Sequence, residues 1–518
     1  MIKTVYSVTL INRIISNVLL LLTYIALISA CGGGNSGTSS SLDEKLARQY
    51  QRYESAQKLV VERNKDTSIP LEQRMISRTE WENILVPPSE ETLSGNELAE
   101  LQARHAQRIQ QSRELANMLS VIDFDALRTL PAEEGNRRIR EFCEAVPKGG
   151  MLHIHPWGNL NQTTYKTLVE QSNPSIQAAK LARDLADTSG PAYLYPDEIA
   201  WLKGLPAEVS YLALSPADRE QLVSMAVLPP GTHPFERFEA VFTFVGLAVG
   251  GNWENLVSSY EDFAQRAVRA GVFYVEFTDT MSPEELPKYL ELANRLESKY
   301  GLTVRFNIAY FRTDTPTNQN ATVLKMLKEI DSPVVTGIDL LANESHTPAL
   351  ETGQAVYGPV LAAVMLKGGH WRRTMHAGEL GDVRNPRDAL LLGAERLGHG
   401  VRLIEDPVTL QYAVDRRIPI EINLSSNLKL KAVKDIRQHP FLTYLRLGLP
   451  VSLSTDDEGI FLTDIINECV VAVGQTDVTY YEYKEIAFNS IQTSFAADDL
   501  KQRLLKELTA RFDSFEKR

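Results

Sequence analysis

The chain has 518 residues, 43% hydrophobic and 23% charged, a composition that excludes a disordered polypeptide. Its formal net charge of −12 argues against nucleic acid as the main partner. The length admits one large catalytic domain with an extension, or two to three smaller domains.

The first segment is an address. Lys3 and Arg13 form a sparse positive start, followed by the apolar run VLLLLTYIALISA at 18–30 and then Cys31. A positive start, a short apolar stretch and small residues at a cleavage point make a secretory signal. The stretch Leu27-Ile28-Ser29-Ala30-Cys31 resembles the lipobox of bacterial lipoproteins, in which the cysteine becomes the acylated first residue. The alternative is an uncleaved anchor, since residues 14–30 approach the lower limit for a spanning helix. The expected location is the cell envelope, and Gly32 after the cysteine points to an outer membrane. GGGNSGTSSS then makes a flexible tether over 31–42. With Cys31 acylated, two cysteines remain, Cys143 and Cys469. They are too few for a disulfide framework, so free thiols are expected, with a single 143–469 bridge the alternative.

Residues 43–145 carry apolar positions at helical spacing among charges, with Ser94 a start signal in SGNEL. This extension is read either as a surface for a homodimer or as a spacer behind the lipid. From about 148 the pattern changes. Short β-rich segments recur at 151–157, 272–279, 302–311, 333–341, 372–379, 395–403, 418–427 and 449–457, most separated by helical stretches. Strand–helix alternation implies parallel strands with crossover helices, and eight of them predict a (β/α)8 barrel over 146–518. Residues 158–271 are too long for one crossover and predict a helical insertion after strand one. An open doubly wound sheet is the competing architecture, but no Gly-x-Gly-x-x-Gly follows the first strand.

The candidate chemistry gathers at strand ends. His153 and His155 lie in MLHIHPW, His376 and Glu379 in MHAGE, His399 in LGHG, and Asp456 and Asp457 in LSTDD. A barrel places its active site at that end. Alone, a strand histidine is more often a hydrogen-bonded core residue, and paired aspartates more often form a turn or cap. Together, His153, His155, His376 and Asp456 make an N/O donor set suited to one divalent ion, with zinc favoured. Such an ion would bring the pKa of a water to about 7. Glu379, past a glycine from His376, is placed as an acid catalyst, and His399 as the group that orients the water or takes its proton. Asp457 would hold substrate. His105, His370 and His439 read as structural or solvent-facing; His233 and His346 are weaker candidates for the barrel mouth.

These motifs (HIH, GIDLL, HAGE, LGHG and STDD, in that order) resemble the adenosine deaminase family of metal-dependent amidohydrolases. PKGGMLHIH, FERFEAVFTFVGL and IEINLSSNLKLKAVKDIRQHP are most like its secreted growth-factor branch. The resemblance covers about 145–515. It implies one zinc on His153, His155, His376 and Asp456. It implies that His399 positions and helps deprotonate water, that Glu379 protonates N1 of a purine as hydroxide adds at C6, and that Asp457 contacts N7. The implied reaction turns adenosine or a related aminopurine nucleoside into its 6-oxo form with release of ammonia. Three positions depart from the family pattern. Trp157 stands where small family members hold a ribose hydroxyl with an aspartate. Ala342 stands where a glycine amide contacts the ring. NLSSN replaces a cysteine–proline segment. They leave open adenine or a 5′-modified nucleoside as substrate. A silent binding or signalling lipoprotein is the alternative of another class.

Overall fold

The computed structural model describes residues 41–345 and 349–517. The signal, Cys31 and His346 therefore lie outside the described residues. Among those described, no helix is long and apolar enough to cross a membrane. The chain divides into two compact units, residues 1–47 and residues 48–518; of the first, only the opening of the helix Ser41–Asn64 is described.

In the second unit the N-terminal helices are set by local chemistry. Ser94 caps Gly95–Leu119: its hydroxyl faces the Glu97 amide, and the Glu97 carboxylate accepts from the Ser94 amide at 2.7 Å. Such a capping box satisfies two otherwise orphan donors, worth about 1 kcal/mol. Specific contacts then seat these helices on the rest of the unit. Tyr53 shares a hydrogen bond with Thr409 at 3.0 Å, and Gln57 donates to the Leu390 carbonyl at 2.7 Å. Gln354 brackets the backbone of Ile76, accepting at 2.8 Å and donating at 3.2 Å.

The last of these helices, Ala132–Ala145, is joined by a Cys143–Cys469 disulfide to the helix Ile465–Gln475. This corrects the expectation of free thiols. The two cysteines are 326 positions apart, yet packing brings their Cα atoms to 5.7 Å and buries both.

Eight parallel strands follow: β1 (Gly149–Ile154), β2 (Val272–Asp279), β3 (Thr303–Phe311), β4 (Val335–Leu341), β5 (Arg372–Ala377), β6 (Arg396–His399), β7 (Ile420–Ile422) and β8 (Val451–Leu453). They pair in chain order, and a parallel bridge between Ile154 and Asp456 brings the last strand's exit back to the first. The result is the expected (β/α)8 barrel. Several strands are shorter than the β-rich segments that announced them. Residues 424–427 of the seventh segment belong to the helix Leu424–Lys429, and Asp456 and Asp457 lie past β8.

The barrel floor is polar. Arg396 donates to Glu276 at 2.6 Å and to Glu421 at 2.5 Å, with the Phe495 ring 3.4 Å from its guanidinium carbon. A buried charge needs such compensation.

Between β1 and β2 lie six helices and a two-stranded antiparallel ribbon, Ser175–Ile176 with Val209–Ser210. They have their own apolar cluster, including Tyr165, Leu202, Leu222 and Phe244, which reaches Ile460 and Phe461 beyond β8. The helix Phe235–Val249 from this segment forms one wall over the barrel mouth.

Candidate active site

Strand alternation puts His153 and His155 on one face. His153 lies in β1 and His155 just past its end, where the His155 amide donates to the Asp456 carbonyl at 3.4 Å. His376 comes from β5. The donor atoms of His153, His155, His376 and Asp456 lie within 4.8 Å of one another. His155 Nε2 is 3.3 Å from Asp456 Oδ1 and 3.3 Å from His376 Nε2; His153 Nε2 is 3.6 Å from Asp456 Oδ1. A tetrahedral zinc shell, with bonds of about 2.0–2.1 Å, spaces its donors roughly 3.3 Å apart.

Tautomers agree with that fit. His153 Nδ1 faces Glu421 at 2.9 Å and His376 Nδ1 faces Asp339 at 3.1 Å. Each carboxylate accepts a hydrogen bond from Nδ1–H, which leaves the Nε2 lone pair for the centre. His153 Nε2 is buried with no hydrogen-bond partner. Burial opposes charge on His155, but Asp457 and Asp456 draw it up to about 9, a demand for positive charge in this place. Burial raises the Asp456 carboxyl, yet the His155 hydrogen bond and the neighbouring imidazoles bring it below its ordinary range. The donor set fits zinc.

Beside it stand the proton-handling groups. Glu379 is buried, and desolvation together with Asp456, Glu344 and Asp457 pushes its carboxyl well above the ordinary range. That upward shift favours the protonated form. Its backbone is held by Glu344, which accepts from the amides of Gly378 at 2.8 Å and Glu379 at 2.9 Å. Asp457 is likewise pushed up, by burial first and by Asp456 against the opposing pull of His155. Burial drives His399 well below the imidazole range, so it is neutral. Its Nε2 lies 4.0 Å from Asp456 Oδ2.

Two motif glycines are required by close approach. A Cβ on Gly158 would come within 1.6 Å of Asp457 Oδ1, and one on Gly398 within 2.8 Å of the His153 ring. The glycines after HPW and in LGHG thus make room for functional side chains. Ala342, His399 and Asp456 all have positive φ, at 78°, 60° and 61°. Such backbone is costly for non-glycine residues and concentrates at functional sites. A glycine at the Ala342 position would carry no such cost.

A cavity of roughly 400 Å³ opens over the centre. Its walls include Trp157, Phe235, Phe238, Glu239, Phe242 and Ala342, and its base His155, His376, Glu379, His399, Asp456 and Asp457. All nine barrel residues singled out by sequence come to this one place, His153 lying below the cavity floor. His233 does not. It is buried in the insertion, between the Tyr195 hydroxyl at 2.8 Å and the Pro229 carbonyl at 3.0 Å. His105 pairs with Gln411 and His370 stacks on Trp371, both away from the cavity.

Five further residues escaped sequence reading. Asp339, Glu421 and Glu344 orient the groups above; Asp339 sits inside GIDLL and Glu421 inside IEINL, both strand motifs with an unexplained acid. Glu239 lies in the cavity wall, raised to about 7 by burial and then by Glu236. Asp279 ends β2 in the same wall, raised to about 6 by burial against hydrogen bonds from Tyr260 and Tyr289.

The sequence profile of the family described as adenosine deaminase matches residues 211–511. The match begins after His153 and His155, whose place in the site rests on geometry. An adenine deaminase from Aspergillus oryzae is 29% identical over 279 residues, 52% of this chain and 77% of that protein. An adenosine deaminase from Clostridium acetobutylicum is 30% identical over 220 residues, 42% of this chain. The chain spans 63% of that relative's length, under two thirds. Among solved structures, a zinc-bound amidohydrolase from Burkhoderia ambifaria superposes with a TM-score of 0.55 at 17% identity, covering 77% of this chain and 98% of that one. With a profile matching more than half its length and the site motifs in place, the chain belongs to the adenosine deaminase family of hydrolytic deaminases.

Proposed function

We propose that this protein is a zinc-dependent hydrolase that converts adenosine, or a closely related 6-aminopurine nucleoside, to the 6-oxo product and ammonia at the cell envelope. The observation that carries this reading is one cavity in which a three-histidine, one-aspartate donor set meets a buried Glu379 whose carboxyl is pushed well above its ordinary range. Held by His153, His155, His376 and Asp456, zinc supplies the Lewis acidity that makes water nucleophilic at neutral pH.

The chain's own groups do the rest. Glu379 gives its proton to ring nitrogen N1 as C6 becomes tetrahedral, which relieves the electron demand of the ring. Asp457 Oδ1, buried and without a hydrogen-bond partner, is available to N7. His399 orients the water. The aromatic walls accept the flat purine, and Ala342 lines the cavity beside them. Water contributes the oxygen at C6; of its two protons, one replaces the proton Glu379 gave to N1 and the other goes to the amino group, which leaves as ammonia.

No lysine or arginine lines the cavity among the described residues. A 5′-phosphate would find no cationic partner there, which favours nucleosides over nucleotides. A second reading, adenine or a 5′-modified nucleoside, is favoured by Trp157. Its half-buried ring occupies a wall where a carboxylate would hold a ribose hydroxyl.

The test is ammonia release by zinc-loaded protein from adenosine, 2′-deoxyadenosine, 5′-deoxy-5′-methylthioadenosine and adenine. Turnover greatest on adenosine supports the first reading, and greatest on adenine or the thioether the second. No turnover of any 6-aminopurine overturns both and leaves the binding lipoprotein.

Envelope location belongs to the same proposal. A disulfide such as Cys143–Cys469 persists in oxidising compartments, which supports export. Metabolic labelling with a fatty acid, lost in Cys31→Ser, is the expected result for a lipid anchor.

A further inference from the structure

A line of hydrogen bonds runs from the backbone of residue 441 to the catalytic centre. The Phe441 amide donates to His439 Nδ1 at 3.3 Å. His439 Nε2 lies 3.0 Å from Asn427 Oδ1, and Asn427 Nδ2 lies 2.9 Å from His399 Nδ1. His399, Asn427, His439 and Phe441 are all buried. His439 comes from the segment after β7 and is structural rather than solvent-facing, and Asn427 is the last residue of NLSSN.

The direction of each bond follows from the first. A backbone N–H can only donate, so His439 Nδ1 presents its lone pair. Burial brings the His439 pKa down to about 3, so the ring is neutral and its single proton is on Nε2. That N–H must meet an acceptor, which sets the Asn427 amide with Oδ1 toward His439 and its NH2 toward His399. The opposite amide orientation would face N–H with N–H inside a dry core. Facing an NH2 donor, His399 Nδ1 also presents a lone pair. The proton of neutral His399 is therefore on Nε2, the nitrogen that faces Asp456. Glu379 Oε1, 3.7 Å from His399 Nδ1, is beyond hydrogen-bond length and does not compete.

We infer that His439 and Asn427 are positioning residues that lock His399 as an Nε2–H hydrogen-bond donor toward the reaction centre. The inference rests on the proposed site only for its consequence. A ring locked in this way orients an oxygen by donating to it. It has no free lone pair on the side of the centre, so it does not take the proton of the water, the role the family resemblance implied.

The test reads the tautomer directly. Zinc-loaded protein labelled with ¹⁵N-histidine is examined by long-range proton–nitrogen correlation, with His399 assigned from the His399→Gln spectrum. The expected spectrum shows His399 and His439 each protonated at Nε2. Asn427→Asp replaces the donor with a carboxylate that only accepts, and His399 should switch to the Nδ1–H pattern. Zinc should stay stoichiometric, and kcat should fall roughly tenfold or more with KM little changed. His439→Gln, whose amide can still donate to Asn427, should retain the parent tautomer; His439→Leu should lose it. A parent His399 protonated at Nδ1, or one unaltered by Asn427→Asp in folded, zinc-loaded protein, overturns the relay. An Nε2-protonated His399 in a protein that turns over no aminopurine upholds the relay and overturns the proposed function instead.

Discussion

Replacing Glu421 with glutamine tests whether the carboxylate behind His153 sets the metal site. Three donors converge on Glu421: His153 Nδ1 at 2.9 Å on one oxygen, and Thr374 Oγ1 at 2.9 Å with Arg396 Nε at 2.5 Å on the other. A glutamine has the same shape but only one oxygen. That oxygen should turn to the charged Arg396 and the Thr374 hydroxyl, because two donors, one of them ionic, outweigh a neutral ring. The new NH2 then faces His153 Nδ1, and the ring relieves the donor–donor contact by moving its proton to Nε2. A protonated Nε2 cannot ligate. Loss of such an outer partner costs about 10- to 100-fold in metal affinity, or about 1.4–2.7 kcal/mol. Zinc affinity would be measured by competition with a chromophoric chelator, and apo-protein melting would be followed separately to account for the disturbed Arg396 network. A Glu421→Gln protein that binds zinc within about threefold of the parent would refute the reasoning, since the outer carboxylate would then not govern the ligand.

Three other outcomes are expected. Glu379→Gln should lower kcat by about 10²–10⁴, the range of a lost proton donor, while elemental analysis finds zinc unchanged; loss of zinc would make Glu379 a ligand. Ala342→Gly should raise stability by about 0.5–1 kcal/mol, because left-handed backbone costs an L-residue roughly 1–2 kcal/mol and glycine's added chain freedom returns part of it. Denaturant titration checks this, and a destabilised variant would contradict it. Replacing both Cys143 and Cys469 with serine should remove about 2–5 kcal/mol, read as a lower Tm that reductant no longer changes.

Much of the site was legible because its chemistry is local. His153 and His155 share a face by alternation alone. HAGE and LGHG place functional groups at strand ends, where a barrel gathers them. Even their glycines are explained once the neighbours are known: Gly398 leaves space for His153, and Gly158 for Asp457. The supporting groups were not legible. Asp339 and Glu421 look like acids within strands until they are seen 3.1 Å and 2.9 Å from imidazoles of the candidate metal site. His439 and Asn427 gain meaning only from a chain of buried hydrogen bonds whose direction starts at a backbone amide. His233 shows the converse: a histidine near the mouth in sequence is consumed by Tyr195 and Pro229 inside the insertion.

By itself, the sequence determined the barrel and the donor types, because strand periodicity and residue chemistry are properties of short segments, while the reaction class followed from the resemblance of its motifs to a known family. Only the tertiary structure decided which atoms meet. It joined Cys143 to Cys469 across 326 positions, turned the helix Phe235–Val249 over the mouth, and backed the His153 and His376 rings with Glu421 and Asp339. Those pairings depend on distances between segments far apart in the chain, and such distances exist only after the barrel has closed.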